Sequence, residues 1–215
     1  MTVRLICQAA SLLLTYPDER WPETLSTVAG SLSDARGPHA TALRRFCEDA
    51  ADIPPLELGE RYVATFDRSR RRTLHMTYYT DGDTRARGAR LAELKALYRR
   101  HGYGLGDDGE LPDFLPVMLE FAARVPDAGT PLLAAHRPGL DLLLLALEAW
   151  GGAYGNVLRA VCGVLPGSSV RDREEARRLA RTGPPAETVG MGTGMTGMET
   201  GFGAVGHAAR EGSRR

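Results

Sequence analysis

Apolar residues recur at helical spacing along most of this chain, and prolines stand where one such pattern gives way to the next. Leu58, Tyr62 and Phe66, for example, are four residues apart and therefore share one face of a helix. Pro22 and Pro38 occupy predicted first turns, where the missing N–H of proline would have no helical partner anyway. Alternating β-branched runs bounded by Asn-Gly or Asp-Gly turns, which are typical of hairpins, do not occur. The sequence therefore predicts an all-α fold.

The helical pattern extends over residues 1–182 and predicts a single multi-helix bundle of about eight or more helices. A short helix is expected after Pro131, and a charged, solvated helix is expected over Val170–Arg181. From Gly183 onward the chain has nine glycines in 33 residues and no periodic apolar pattern. We therefore predict an all-helical domain over 1–182 and a flexible Gly/Met-rich tail over 183–215.

Composition argues against several kinds of partner and location. The chain has 27 basic and 27 acidic residues, so its net charge favours neither nucleic acid nor an anionic membrane. Gln8 and Ser11 interrupt the apolar run of Met1–Leu14, and no apolar run approaches membrane-spanning length, so export and membrane insertion are not expected. The three cysteines form no C-x-x-C pair and lie among apolar neighbours, which predicts buried, inert thiols in a reducing compartment. We therefore expect a cytoplasmic protein.

No recognised catalytic motif occurs in the chain. The phosphate-binding pattern G-x-x-x-x-G-K-[ST] and the nucleophile elbow G-x-S-x-G are both missing, and the glycines at Gly102, Gly104 and Gly106 follow a predicted helix rather than a strand. The five histidines are scattered, and none is followed by Asp, so a metal site is not expected. A helical metal-dependent enzyme remains an alternative. Its candidate ligands are His75, Asp81 and Asp83.

Two acidic residues are predicted to cap helices. Asp83 and Asp113 precede apolar helical patterns, as N-cap residues do. Arg85 and Arg87 follow Asp83 in the first turn, where the helix dipole disfavours cations by about 0.3–1 kcal/mol each. Nearby acids are therefore expected to compensate, either in a structural ion-pair network or along the rim of a binding groove. A further basic cluster, Arg68 and Arg70–Arg72, is predicted to be a solvated face.

A set of motifs in a fixed order resembles the NarJ family of nitrate reductase assembly chaperones. This family, also called the delta subunit, belongs with the TorD/DmsD-like redox enzyme maturation chaperones. The resemblance covers about residues 5–165 and is specific in its combination rather than in any single piece. The motifs are Leu13 to Pro17, Tyr62-x-x-x-Phe66-Asp67-x-x-Arg70, Leu74-His75, Gly82-Asp83-x-Arg85-x-Arg87-Gly88, Leu94, Tyr98-x-x-x-Gly102 and Glu110-Leu111-Pro112-Asp113-x-Leu115-Pro116-x-x-Leu119-Glu120.

The resemblance implies a cytoplasmic, all-helical protein that is not an enzyme. Members of the family bind the N-terminal segment of the catalytic (alpha) subunit of respiratory nitrate reductase. They keep that subunit competent for molybdenum cofactor insertion and membrane docking, and they bind no cofactor or metal themselves. Molybdenum cofactor biosynthesis proteins are further partners to consider, and a chaperone for a different molybdoenzyme is the alternative function.

By motif match, the resemblance also implies where a client peptide would bind. The groove is expected around nine residues, which combine aromatic and aliphatic side chains with charged ones. They are Tyr62, Phe66, Asp67, His75, Asp83, Arg87, Glu110, Asp113 and Leu115. Recognition of a helix in a groove needs an apolar trough and polar rim residues but no catalytic group, which agrees with the missing catalytic motifs.

Overall fold

The computed structural model describes residues 3–105, 109–167 and 173–182. Helices account for most of these residues, and a π-helical turn, Val63–Asp67, directly continues the fourth helix. The β-structure in the described ranges is limited to one antiparallel bridge, between His75 and Phe114. The all-α prediction is therefore confirmed. The helices are α1 Val3–Leu13, α2 Trp21–Ser31, α3 Pro38–Ala51, α4 Pro55–Tyr62, α5 Tyr78–Asp81, α6 Arg85–Arg100, α7 Leu115–Arg124, α8 Pro126–Ala135, α9 Arg137–Trp150, α10 Tyr154–Val164 and α11 Arg173–Thr182.

Helix α1 lies at the centre of the bundle. It packs against α7 and α10 and also contacts α2 and α3. Ile6, Cys7 and Leu13 are fully buried in this core, as the apolar stripe predicts. Ser11 is a polar residue on the same helix, and its hydroxyl donates to the Pro116 carbonyl oxygen on α7 at 2.8 Å. That hydrogen bond satisfies the buried hydroxyl and ties the two most closely packed helices together.

A second, smaller aromatic cluster joins α6 to α7. Tyr98, Tyr103 and Phe121 pack with ring centroids 4.7–5.4 Å apart. The Tyr98 hydroxyl donates to the Pro112 carbonyl oxygen at 2.7 Å. This bond reaches the segment just before α7. The cluster therefore fixes where α6 lies relative to the residues that form the candidate site.

The prolines begin helices largely as predicted, with one exception. Helices α3 and α4 begin at Pro38 and Pro55, and α2 has Pro22 as its second residue. The prediction that a helix starts after Pro131 is wrong, because α8 begins at Pro126 and contains Pro131 in its interior. Pro126 at the first position sets the start of this helix, and Pro131 removes one internal hydrogen bond.

Helix α11 differs from its prediction as a fully solvated helix. It packs against α9 and α5, and Ala176 is completely buried in that contact. Ala176, Leu179 and Ala180 do follow helical spacing, but charged residues occupy most of the other positions, and these led to the prediction of a fully solvated helix. The predicted tail, 183–215, lies outside the described residues.

The predicted burial of the cysteines is confirmed, since Cys7, Cys47 and Cys162 are all buried and none of them forms a disulfide within the described residues. Burial raises the pKa of the Cys7 thiol to about 12, so this thiol stays protonated and unreactive at neutral pH. None of the helices in the described segments combines the length and apolar character needed to cross a bilayer.

Candidate peptide-binding site

An open cleft of about 380 Å³ lies where the π-helical turn, the loop before α5 and the start of α6 meet. Its walls combine aromatic and aliphatic side chains with acidic and basic ones. We call it the first cleft. Its lining residues are Tyr62, Phe66, Asp67, Ser69, Arg70, Thr73, Leu74, His75, Tyr78, Asp83, Arg87 and Phe114.

The π-helical turn brings Phe66 and Asp67 to the first cleft. Within it, the Thr65 hydroxyl donates to the Arg61 carbonyl oxygen at 2.7 Å, which competes with the regular helical ladder. Arg72 then satisfies a carbonyl at the end of the turn, because its Nε donates to the Thr65 oxygen at 2.7 Å. Such π-turns are uncommon and often occur at functional sites. The turn leaves the Phe66 ring buried and the Asp67 carboxylate exposed.

The carboxylate of Asp113 is the buried anchor behind the first cleft. It is fully buried and accepts hydrogen bonds from His75 Nδ1 at 3.1 Å, from Thr77 Oγ1 at 2.5 Å and from the Thr77 main-chain N–H at 3.3 Å. Arg87 Nη2 lies 3.4 Å from Asp113 Oδ2, and Arg87 Nε donates to Thr77 Oγ1 at 3.1 Å. An ionised carboxylate only accepts, so His75 must carry its proton on Nδ1. The anchor therefore fixes two cleft side chains, His75 and Arg87, from behind.

These contacts keep Asp113 ionised despite its burial. Burial by itself would raise the pKa of the carboxyl group. The hydrogen bonds from His75 and Thr77, together with the positive charge of Arg87, outweigh burial and hold the pKa of Asp113 below its ordinary value. The negative charge is thus a permanent part of the junction at neutral pH.

Main-chain pairing holds the same junction together. The Met76 N–H donates to the Asp113 carbonyl oxygen at 2.9 Å, and the Leu115 N–H donates to the Leu74 carbonyl oxygen at 2.8 Å. These bonds flank the bridge between His75 and Phe114. They join the loop before α5 to the start of α7 at the back of the first cleft.

Both predicted N-caps are wrong. Helix α6 has Thr84 as its N-cap, one residue after Asp83, and α7 has Phe114, one residue after Asp113. Asp113 does not cap a helix because its carboxylate is committed to Thr77, His75 and Arg87. Asp83 remains exposed and lies 3.8 Å from Arg87, in a loose ion pair across the first turn.

The structure brings six of the nine predicted site residues to the walls of the first cleft: Tyr62, Phe66, Asp67, His75, Asp83 and Arg87. Asp113 lies behind this wall rather than in it. Leu115 is fully buried in the main core and does not reach the cleft. Glu110 is exposed and lies outside the lining. Burial of Tyr62 is the main cause of its raised pKa, and the negative charge of Glu110 adds to the effect.

Some residues of the site were missing from the sequence-based set. Thr77 is fully buried and bridges Asp113 and Arg87, but a lone threonine between Met and Tyr gives no signal in the sequence. Tyr78 and Phe114 add aromatic surface to the first cleft. Phe114 directly follows Asp113 in the motif, and this adjacency is the sequence signal that could have identified it as a cleft residue.

The residues of the metal-site alternative do not converge. His75 pairs with Asp113, Asp83 faces Arg87, and Asp81 lies 3.7 Å from Arg90 Nε and accepts from the Thr80 hydroxyl at 3.0 Å. Among the described residues, no group of three or more His, Cys, Asp or Glu side chains is arranged to hold a metal ion. The geometry gives no support to the metal-dependent enzyme.

Comparison with known families gives one match that covers more than half of the chain. The sequence model of the family described as "Nitrate reductase delta subunit" matches residues 30–154. That range includes every wall and anchor residue of the first cleft.

Individual relatives carry related names. A nitrate reductase molybdenum cofactor assembly chaperone, NarJ of Bacillus subtilis, is 33% identical over 169 residues, which are 78% of this chain and 91% of that protein. The nitrate reductase-like protein NarX of Mycobacterium tuberculosis is 42% identical over 159 residues. This chain spans only 24% of the length of NarX, although the match includes 74% of the chain.

A solved structure shares the fold. A redox enzyme maturation protein from Archaeoglobus fulgidus superposes with a TM-score of 0.58 and 21% sequence identity. The superposition covers 76% of this chain and 93% of that one. The two chains therefore share this helical fold over most of their lengths.

Proposed function

Because this chain belongs to the nitrate reductase delta subunit family, we propose that it is a client-specific assembly chaperone for respiratory nitrate reductase. In this proposal it acts in the cytoplasm and binds the N-terminal segment of the catalytic (alpha) subunit. It keeps that subunit competent for molybdenum cofactor insertion and delays membrane docking. The cofactor goes to the client, and the chaperone itself holds none.

Within the structure, the observation that carries the proposed peptide binding is the composition of the first cleft. Aromatic side chains form one side, with Tyr78 and Phe114 half-buried and available to a ligand. Asp67, Asp83 and Arg70 are exposed residues of the lining, and Arg87 lies 3.8 Å from Asp83. An apolar trough with charged rims suits an amphipathic helix, whose apolar residues supply affinity while its charges set orientation.

The rim predicts the polarity of the client segment. Asp83 is already loosely paired with Arg87, whereas the Asp67 carboxylate has no hydrogen bond or ion pair to any residue in the described ranges. A lysine or arginine of the client would therefore find its partner at Asp67. We expect the bound segment to carry a basic residue beside its apolar face.

A charge-reversal experiment tests the site. The variant Asp67→Lys/Asp83→Lys is expected to bind a fluorescent peptide of the client N-terminus at least about tenfold more weakly, because two favourable rim charges become repulsive. The matched control, Asp34→Lys/Asp49→Lys, changes the same net charge at exposed positions outside the cleft and is expected to bind normally. Equal loss in both variants would show that net charge, rather than the first cleft, governs binding.

The choice of client is tested with the same assay. The alternative function, a chaperone for a different molybdoenzyme, predicts that a peptide from that enzyme binds more tightly than the nitrate reductase peptide. Titration of the protein with N-terminal peptides of each molybdoenzyme of its organism ranks the clients directly. A preference for another peptide would replace nitrate reductase as the client and leave the site unchanged.

A further inference from the structure

A second cleft of about 500 Å³ lies beside the first and shares two of its residues, Arg70 and Tyr78. It is formed by the arginine-rich loop after the π-helical turn and by α5, α9 and α11. The proposed client site does not account for it. Its lining residues are Arg70, Arg71, Arg72, Tyr78, Tyr79, Leu142, Ala146, Ala149, Trp150 and Arg177.

Positive charge dominates the polar part of this second cleft. It has four arginines in its lining and no acidic residue. The guanidinium groups of Arg70, Arg71 and Arg177 are on exposed residues and make no hydrogen bond or ion pair with the described part of the chain. Uncompensated guanidinium groups on one concave surface favour carboxylate or phosphate groups, which they bind through paired N–H donors.

Arg72 has a different role from the other three arginines. Its Nε donates to the Thr65 carbonyl oxygen, and its guanidinium carbon lies 4.0 Å from the centroid of the Trp150 ring. This stacking fixes the indole at the edge of the cleft while leaving the Trp150 residue 52% exposed. The basic cluster is therefore not merely the solvated face that the sequence predicts, since three of its members line a concave surface.

The floor of the second cleft is apolar. Leu142, Ala146 and Ala149 come from one face of α9, and Trp150 ends that helix with an exposed ring. A large exposed indole next to small apolar residues provides an anchoring surface of the kind found at protein interfaces. Nucleic acid would instead need a wide basic surface with successive stacking positions, and the chain as a whole has no net charge.

We propose that the second cleft binds an acidic segment of a protein partner. Carboxylates of that segment would pair with Arg70, Arg71 and Arg177, and an apolar side chain next to them would pack on Trp150. This surface goes beyond the proposed client site, and its charge is opposite to that of the Asp67 and Asp83 rim. A partner that occupies both clefts would therefore present a basic stretch to one and an acidic stretch to the other.

The test uses the full chain and a fluorescein-labelled peptide in which glutamates surround a single leucine. A second peptide, with glutamine at every glutamate, has the same length and the same leucine. The acidic peptide is expected to bind with saturation, and the glutamine peptide at least about tenfold more weakly. Binding of the acidic peptide is also expected to weaken as salt concentration rises, because exposed charge pairs are screened. Equal binding of the two peptides, or no saturable binding of either, would overturn the proposal.

Two variants locate the binding. Arg71→Glu/Arg177→Glu reverses charges that belong to the second cleft alone and is expected to weaken the acidic peptide at least about tenfold. The matched control, Arg36→Glu/Arg45→Glu, reverses two exposed arginines outside both clefts and is expected to bind within about twofold of the unaltered protein. Similar losses in both variants would show that overall charge is responsible and would overturn the site.

A third variant separates peptide binding from anion binding in general. Trp150→Ala is expected to weaken the leucine-containing acidic peptide but not a version with glycine at the leucine position. Inorganic pyrophosphate and a single-stranded RNA oligonucleotide serve as competitors. If either one displaces the peptide at lower concentration than unlabelled peptide does, the cleft is a phosphate or nucleic-acid site and the proposal is overturned.

Discussion

Replacement of Asp113 by asparagine is the sharpest test of how the first cleft is held in place. Asparagine keeps the shape of the side chain and can still accept from Thr77, but it removes the buried negative charge that faces Arg87 and His75. Breaking a buried charge pair costs about 3–5 kcal/mol, and single hydrogen bonds to charged groups contribute about 1.5–3 kcal/mol. Since the Arg87 side chain is 21% exposed and the His75 side chain 32% exposed, water compensates part of the loss. We expect a destabilisation of about 2–3 kcal/mol.

Thermal and urea unfolding measure this loss. For a domain of this size, about 2–3 kcal/mol corresponds to a fall in Tm of roughly 5–10 °C. Asp83→Asn is the matched control, because Asp83 also faces Arg87 but its side chain is 63% exposed. We expect the control to cost less than about 0.5 kcal/mol. If the two variants lose the same stability, the buried carboxylate is not the anchor of the junction.

The pH dependence of the same variant gives an independent check. The pKa of Asp113 is lower in the folded protein than its ordinary value, so the unfolded chain takes up the proton first as pH falls. The stabilisation due to this carboxylate is therefore complete above about pH 5 and is lost as the pH drops below about 4. We expect the stability gap between the unaltered protein and Asp113→Asn to shrink in that acidic range. A gap that stays constant down to pH 3 would contradict the assignment.

Three further substitutions and one truncation probe the fold. Gly129→Ala is expected to destabilise the protein by about 2–4 kcal/mol in urea unfolding, because a Cβ there would meet the Ala122 backbone of α7. Gly88→Ala is the control, because its Cβ would meet open space, and it is expected to stabilise the protein by up to about 1 kcal/mol. Tyr62→Phe is expected to cost about 1 kcal/mol, since the hydroxyl donates at 3.0 Å to a buried main-chain carbonyl just after α1; an unchanged urea midpoint would show that this bond contributes nothing. A chain that ends at Thr182 is expected to melt at the temperature of the full chain, and a fall of more than a few degrees would show that residues 183–215 contribute to the folded domain.

The helices could be predicted because their signals are local. Proline at first turns and apolar residues at spacings of three and four specify most helix starts and core faces, as α3 and α4 show. Gly102, with φ of +67°, lies two residues after the end of α6, in the left-handed conformation that commonly ends a helix. Where two prolines lie close together in sequence, as Pro126 and Pro131 do, the local pattern predicted the helix start at the wrong proline.

The centre of the site could not be predicted because its contacts are not local. Asp113 looks like a cap from its neighbours in sequence, but its partners His75 and Thr77 lie 38 and 36 residues away. The π-helical turn likewise depends on Arg72, which satisfies a carbonyl that a regular helix would have used. Motif resemblance named six wall residues of the first cleft and also Asp113, whereas the role of Asp113 as the buried anchor and the second cleft required the tertiary structure.

Whether this chain binds its client at the first cleft can be measured by calorimetric titration of the full chain with a peptide of the N-terminal segment of its own organism's nitrate reductase catalytic subunit. We expect saturable binding at one site, no binding of a scrambled peptide of the same composition, and loss of binding in the Asp67→Lys/Asp83→Lys variant. Equal heats from the native and scrambled peptides, or binding that the variant leaves unchanged, would contradict this expectation.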